Sequence, residues 1–160
     1  MQHRTRLALW TTVILLSGSA QAENMRFFGT LIEPPPCVIN GDLPIEVNFG
    51  DDVMTSRVDS TSYKKMPVNY TLSCTGNVTN ALRMQIEGTA AAFNSQWLNG
   101  NKTNFAIALL NNGAALGVNR WFNFTYPVVP VLEAVPAKNP TGALTGGAFN
   151  ATATMKIDYR

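Results

Sequence analysis

At 160 residues, with 46% hydrophobic and only 14% charged residues, the chain has room for one domain with a sizeable core and not comfortably for two. Its formal charge of +2 rests on Arg4 and Arg6; without those two of its 12 Lys and Arg, the remainder balance the 10 Asp and Glu. No electrostatic reason to expect nucleic acid is then left.

The chain opens with His3, Arg4 and Arg6, runs through the apolar LALWTTVILL and reaches Ser19-Ala20-Gln21-Ala22, small residues of the kind a signal peptidase cuts. This pattern predicts a secretory signal over residues 1–22, with cleavage after Ala22. No later stretch supplies roughly 18 unbroken apolar residues, so no transmembrane segment is expected. Cleavage also removes His3, the one histidine, which excludes imidazole-dependent catalysis or metal binding in the mature chain. Two cysteines, Cys37 and Cys74, accompany the export signal. An exported even pair reads as one disulfide, and closing a loop of this length stabilises by roughly 4 kcal/mol.

Residues 23–33 alternate: Met25, Phe27, Gly29 and Leu31 share one face, opposed by Arg26, Phe28, Thr30 and Ile32. Pro34-Pro35-Pro36 ends any regular pairing, because three successive residues lack an amide donor and have fixed φ. The stretch is therefore a strand-like arm, residues 23–36, set off from a body that starts at Cys37. After Val38 and Ile39 and a turn at Asn40-Gly41-Asp42, Ile45, Val47 and Phe49 alternate as a strand closed by Gly50. Residues 51–65 are polar enough for a loop or a weak edge. Val68, Tyr70, Leu72 and Cys74 predict the next strand, Thr75-Gly76-Asn77 a turn, and Leu82, Met84 and Ile86 another strand.

Residues 88–103, small and polar around Phe93 and Trp97, read as a crossover loop or an irregular helical turn. Phe105, Ile107 and Leu109 form a strand, and Asn111-Asn112-Gly113 signals a hairpin whose return begins near Leu116 and Val118. Trp121 to Tyr126 alternates imperfectly, and 128–135 reads as a strand interrupted by Pro130. After a turn-rich stretch the clearest alternation begins: Phe149, Ala151, Ala153, Met155, Ile157 and Tyr159 on one face, against Asn150, Thr152, Thr154, Lys156 and Asp158. Seven or eight strands and no long amphipathic helix predict an all-β sandwich, with a barrel as the alternative. The last strand lacks a later neighbour to cover its free edge.

Catalytic constellations are absent from this pattern, and no cofactor motif occurs. Glu46, Asp51 and Asp52 lack calcium-loop spacing and read as solvated turn carboxylates. Nothing in the sequence brings Glu33, Glu87 or Glu133 together as a glycosidase pair, and neither Lys64 nor Lys65 sits in a nucleophile motif. Asn69, Asn77, Asn101, Asn123 and Asn150 occupy Asn-x-Ser/Thr tripeptides, which arise by chance at this Asn and Thr content. Trp97, Trp121, Phe122, Phe124 and Tyr126 suit either a sandwich core or a glycan platform, so a secreted glycan- or protein-binding module is the rival reading. The arm carries more information: its apolar residues are unexplained in water, and either folding back over the final strand or strand donation to another molecule would cover them. The triple proline, which fixes the arm's departure from the body, favours donation.

These residues carry a resemblance to the pilin subunits of chaperone-usher fimbriae, covering essentially everything after Ala22. The matching features are Phe27, Gly29 and Leu31; Pro36-Cys37; Ile45, Val47, Phe49 and Gly50; Leu72-Ser73-Cys74; and the terminal run from Gly147 and Phe149 to the penultimate Tyr159. The resemblance implies an incomplete immunoglobulin-like sandwich lacking its C-terminal seventh strand and completed by a donor strand. It implies that Met25, Phe27, Gly29 and Leu31 are donor positions. It also implies that Phe149, Ala151, Ala153, Met155, Ile157 and Tyr159 form the acceptor strand beside a groove, with Arg160 presenting a carboxylate to a chaperone. The implied partners are a periplasmic pilus chaperone, an outer-membrane usher and neighbouring subunits, and the implied destination is a fimbrium on the bacterial surface. A short arm resembles the minor or adaptor subunits of P-pilus-like fimbriae more than many major rod subunits; Phe28 and the triple proline depart from the usual arm.

Overall fold

The computed structural model describes residues 25–31, 33, 36–76 and 79–160. The expected signal over 1–22 lies outside the described residues, as do Ile32 of the arm, Pro34 and Pro35, and Asn77 of the expected turn and tripeptide. The chain divides into two units, Met1–Ile32 and Glu33–Arg160. In the first, residues 25–31 carry no regular secondary structure and every side chain is exposed.

The second unit holds β1 (Val38–Ile39), β2 (Met66–Pro67), β3 (Leu72–Ser73), β4 (Ala81–Glu87), β5 (Ala90–Ala91) and β6 (Asn94–Asn99). These are followed by β7 (Phe105–Asn111), β8 (Ala114–Leu116), β9 (Trp121–Thr125), β10 (Leu132–Lys138) and β11 (Thr154–Tyr159). One sheet runs β2-β10-β7-β6-β5, with β8 also paired to β7; a second runs β11-β4-β9; β1 and β3 form a separate pair. Every pairing is antiparallel. This is an all-β, incomplete immunoglobulin-like sandwich.

Period-two patterning explains the best strands. In β4, Leu82 and Met84 are fully buried and Ile86 nearly so, while Arg83 and Gln85 face outward. Phe105 and Ile107 point into the space between the sheets and pack with Leu98, Val118 and Ala134. Ala106 and Ala108 face the other way and pack with Val135 and Ala137, with Phe93 and Trp97 against them. The β7–β8 hairpin turns at Asn112 (φ 49°) and Gly113 (φ 79°), the left-handed pair that matches the twist of its strands.

Several expectations need revision. Residues 88–103 are no crossover loop: β5 and β6 form a hairpin, which its sparse apolar pattern hid because Trp97 and Leu98 pack on opposite faces of the sheet. The expected strand at 68–74 pairs only through β3, while the Val68 N–H donates to the Leu132 carbonyl and the Tyr70 hydroxyl to that of Pro130. The strand expected across 128–135 starts beyond Pro130, as β10.

The expected strand from Phe149 joins its sheet only at Thr154, opposite Glu87. Both polar groups of the next residue, Gly88, are held by the Asn119 side chain, at 3.0 and 2.8 Å. On the other side, the Asn101 N–H donates to the Asn150 carbonyl at 3.0 Å and the Asn150 N–H to Asn101 Oδ1 at 2.9 Å. Residues 149–153 are thereby tied to the loop after β6 rather than to β4.

The 51–65 loop is organised by one carboxylate. Asp59 Oδ1 accepts the N–H groups of Thr61, Ser62 and Tyr63, each at 2.9 Å, and Oδ2 accepts the Ser62 hydroxyl at 2.7 Å. The Ser62 N–H, then those of Thr61 and Tyr63, hold this carboxyl far below the usual carboxylate range. A depressed folded pKa stabilises the turn above the unfolded value, and this contribution disappears as pH falls through the folded one. The Thr61–Tyr63 amide resonances should therefore keep their native positions at about pH 4, where a free Asp is half-protonated, and move only in stronger acid. A transition centred near that free value would contradict the turn, and Asp59→Asn should abolish the acid transition.

Candidate strand-acceptor groove

Strand β11 is the edge of its sheet, paired on one side to β4. Across from it, residues 45–49 alternate in burial, with Ile45, Val47 and Phe49 half-buried and Glu46 and Asn48 exposed. They form no ladder with any described residue. A segment that keeps a strand's alternation without a strand's partner lies beside an empty place in a sandwich.

Between these two walls lies an apolar groove of about 300 Å³. Its floor is built by Ile86 of β4, Leu98 of β6, Ile107 and Leu109 of β7, and Leu132 and Ala134 of β10. Ile45, Val47 and Phe49 line one wall; Phe149, Ala151, Ala153 and Met155 line the other. The walls differ along their length. At one end Phe149 packs on Phe105 (ring centroids 4.5 Å apart) and Phe49 (5.8 Å), which fills the space. Beyond it, Ala151 and Ala153 leave room above the floor.

Ile157 and Tyr159 continue along β11 opposite Met84 and Leu82, and Arg160 is exposed, its N–H donating to the Ala81 carbonyl. The Cys37–Cys74 disulfide is present with Cα atoms 4.3 Å apart, and the Tyr159 hydroxyl lies 3.7 Å from Cys37 Sγ. On the solvent face of the same sheet, Arg83 pairs with Asp158 and holds its carboxyl below the usual range against slight desolvation. Behind the floor, burial pushes the Tyr70 hydroxyl up to about 12; it donates to the Pro130 carbonyl at 2.7 Å.

Met25, Phe27, Gly29 and Leu31 all belong to the first unit and are exposed, Phe27 by 87%. The remaining candidates are dispersed. Asp52 pairs with Lys64, whose hydrogen bond and charge lower its pKa; Glu133 pairs with Lys65, and Glu87 with Lys156. Four of the candidate aromatics are placed apart: Phe122 and Phe124 pack on the core, Trp97 on the alanine face of β7, and Trp121 lies under the Arg83 guanidinium, 4.6 Å away. The 45–49 wall was visible in sequence as a strand. That it stands unpaired was not, because periodicity reports burial and is silent about neighbours. Among the described residues no helix is long and apolar enough to cross a membrane.

The family model described as "Fimbrial protein" matches residues 25–160. The chain is 38% identical over 132 residues to the uncharacterised fimbrial-like protein YfcR of Escherichia coli (strain K12), covering 79% of this chain and 75% of that one. It is 28% identical to the fimbrial adapter PapF of Escherichia coli, covering 96% of this chain and 98% of PapF. A solved structure of the P pilus adaptor subunit PapF superposes with a TM-score of 0.59 at 26% identity, covering 80% of this chain and 98% of that one. The P pilus rod subunit PapA superposes with a TM-score of 0.67 at 22% identity, covering 79% and 100%, a likeness of fold.

Proposed function

The chain belongs to the fimbrial protein family of the chaperone-usher class, whose members are structural rather than enzymatic, and from that premise we propose that it is a minor, adaptor-type subunit polymerised by strand exchange. The observation that carries this reading is the apolar groove between the β11 edge and the unpaired 45–49 wall. A strand laid there completes the sandwich: its backbone joins the free edge and alternate side chains enter the groove. In the periplasm a chaperone supplies that strand, with Phe149 to Arg160 as its binding edge. At the outer-membrane usher the arm of a neighbouring subunit replaces it. This subunit's own Met25, Phe27, Gly29 and Leu31 enter the groove of another, and the assembled fimbrium contributes to adhesion at the cell surface. The likeness to the adapter PapF along nearly the whole chain supports an adaptor place, between tip and rod.

Side-chain sizes suggest a register. An incoming strand antiparallel to β11, with Gly29 opposite Phe149, puts Phe27 opposite Ala151 and Met25 opposite Ala153, each large residue facing a small one. Burying Met25, Phe27 and Leu31 contributes about 5 to 9 kcal/mol before ordering costs. Deleting residues 23–33 tests the assignment of both halves. The truncated chain should still be captured by chaperone and still accept a donor, yet fail to join a preceding subunit, read as loss of the SDS-resistant heterodimer. Formation of that heterodimer by the truncated chain would remove the donor role.

A further inference from the structure

We infer that a second cleft, beyond the Phe149 end of the groove, receives the acidic tail of an incoming donor strand that ends as this chain's own arm does, with Lys102 as its counter-charge. This rests on the strand-donation reading and adds to it a charge that fixes register. The cleft, about 820 Å³, is continuous with the groove, sharing Val47, Phe49, Phe149 and Ala151. Lys102 is the one cation among its described lining residues. Its Nζ donates to the Gly146 carbonyl at 2.8 Å and forms no ion pair among the described residues, unlike Lys64, Lys65, Arg83 and Lys156. Two carboxylates of the 45–51 segment, Glu46 and Asp51, also line the cleft.

Register brings the matching charge. With Gly29 of the incoming strand opposite Phe149, its Leu31 reaches Gly147, where the wall turns through a φ of 108°. Leu31 therefore leaves the ladder and enters the cleft, where Leu144 and Val58 offer apolar contact. Continued at the same register, Glu33 lies on the same face two residues further, about 7 Å along and opposite Thr145, next to Gly146, whose carbonyl holds Lys102. An ammonium with spare donors beside an apolar cleft matches a segment that ends apolar, one residue, acidic.

The test is a competition. The chain starting at Glu23 is refolded from denaturant with an equimolar excess of two peptides of residues 23–33, one unaltered and one carrying Glu33→Gln, and the captured peptides are weighed by mass spectrometry. At low salt the Glu33 peptide should be captured in about three- to fivefold preference, falling to parity at about 1 M salt, where screening is short-ranged. Lys102→Gln should abolish the preference and Lys102→Arg should keep it. Equal capture by the unaltered chain at low salt overturns the role of Lys102 and leaves strand donation intact. Capture of neither peptide overturns the donation reading and the inference together. A preference that persists in Lys102→Gln, with total capture unchanged, assigns the acid to another group and overturns the inference.

Discussion

Ala151→Phe should abolish acceptance of the 23–33 strand and leave the variant able to donate its own arm. Ala151 is one of two small residues on the β11 side of the groove, and the register that places Gly29 at the filled aromatic end brings Phe27 against it. A second ring at that point displaces the incoming one. The exclusion loses about 1.5 to 3 kcal/mol of side-chain burial, and strain adds about 1 to 3 kcal/mol, so affinity for the peptide should fall on the order of a hundredfold or more. Shortening the peptide by Phe27→Ala makes room again, so the altered peptide should bind the variant better than the unaltered one does. Fluorescence anisotropy of labelled peptides measures all four combinations. Unchanged affinity of Ala151→Phe for the unaltered peptide would eliminate this register, and binding of the Phe27→Ala peptide by the variant shows that the variant folds.

Replacing both cysteines, Cys37→Ser with Cys74→Ser, should cost roughly 4 kcal/mol, because their separation of 37 residues closes a long loop in the unfolded chain. For a domain of this size the loss lowers Tm by roughly 12–20 °C. Measurement with the groove filled by the 23–33 peptide keeps the comparison between complete folds. The loop also spans the 45–49 wall, so the reduced chain gains freedom in one side of the groove, and peptide affinity should fall with Tm. A shift of only about 2 °C would mean that the unfolded chain is already compact around this loop.

The parts of the fold legible in sequence are those where one face is buried and the other wet. Leu82, Met84 and Ile86 announced β4, and Asn112-Gly113 announced the β7–β8 hairpin, because positive φ has a strong residue preference. The short strands β5 and β6 left little trace: Ala90, Ala91 and Leu98 are too few to make a period, and Trp97 packs on the far side of the sheet. The groove was legible as two alternating segments, 45–49 and 149–159. Their failure to form complete ladders was not, since Asn101 and Asn119, which set where β11 joins β4, act through side-chain hydrogen bonds at great sequence distance. The second cleft had no signature either, because Lys102 reads as an ordinary loop lysine until the partner of its ammonium, the Gly146 carbonyl, is seen.

The contact between the Tyr159 hydroxyl and Cys37 Sγ also bears on how a fibre carries load. A pull on the arm enters this domain at Cys37 and passes at once through the disulfide to the strand pair β1–β3. The same atom abuts the end of β11, whose six residue pairs with β4 run along the strand. Tension between a donated arm and an occupied groove is therefore shared along rows of hydrogen bonds loaded together, in shear, instead of peeling one bond at a time from a free end. In the proposed chain of subunits, the covalent staple at the root of each arm also serves as its mechanical anchor.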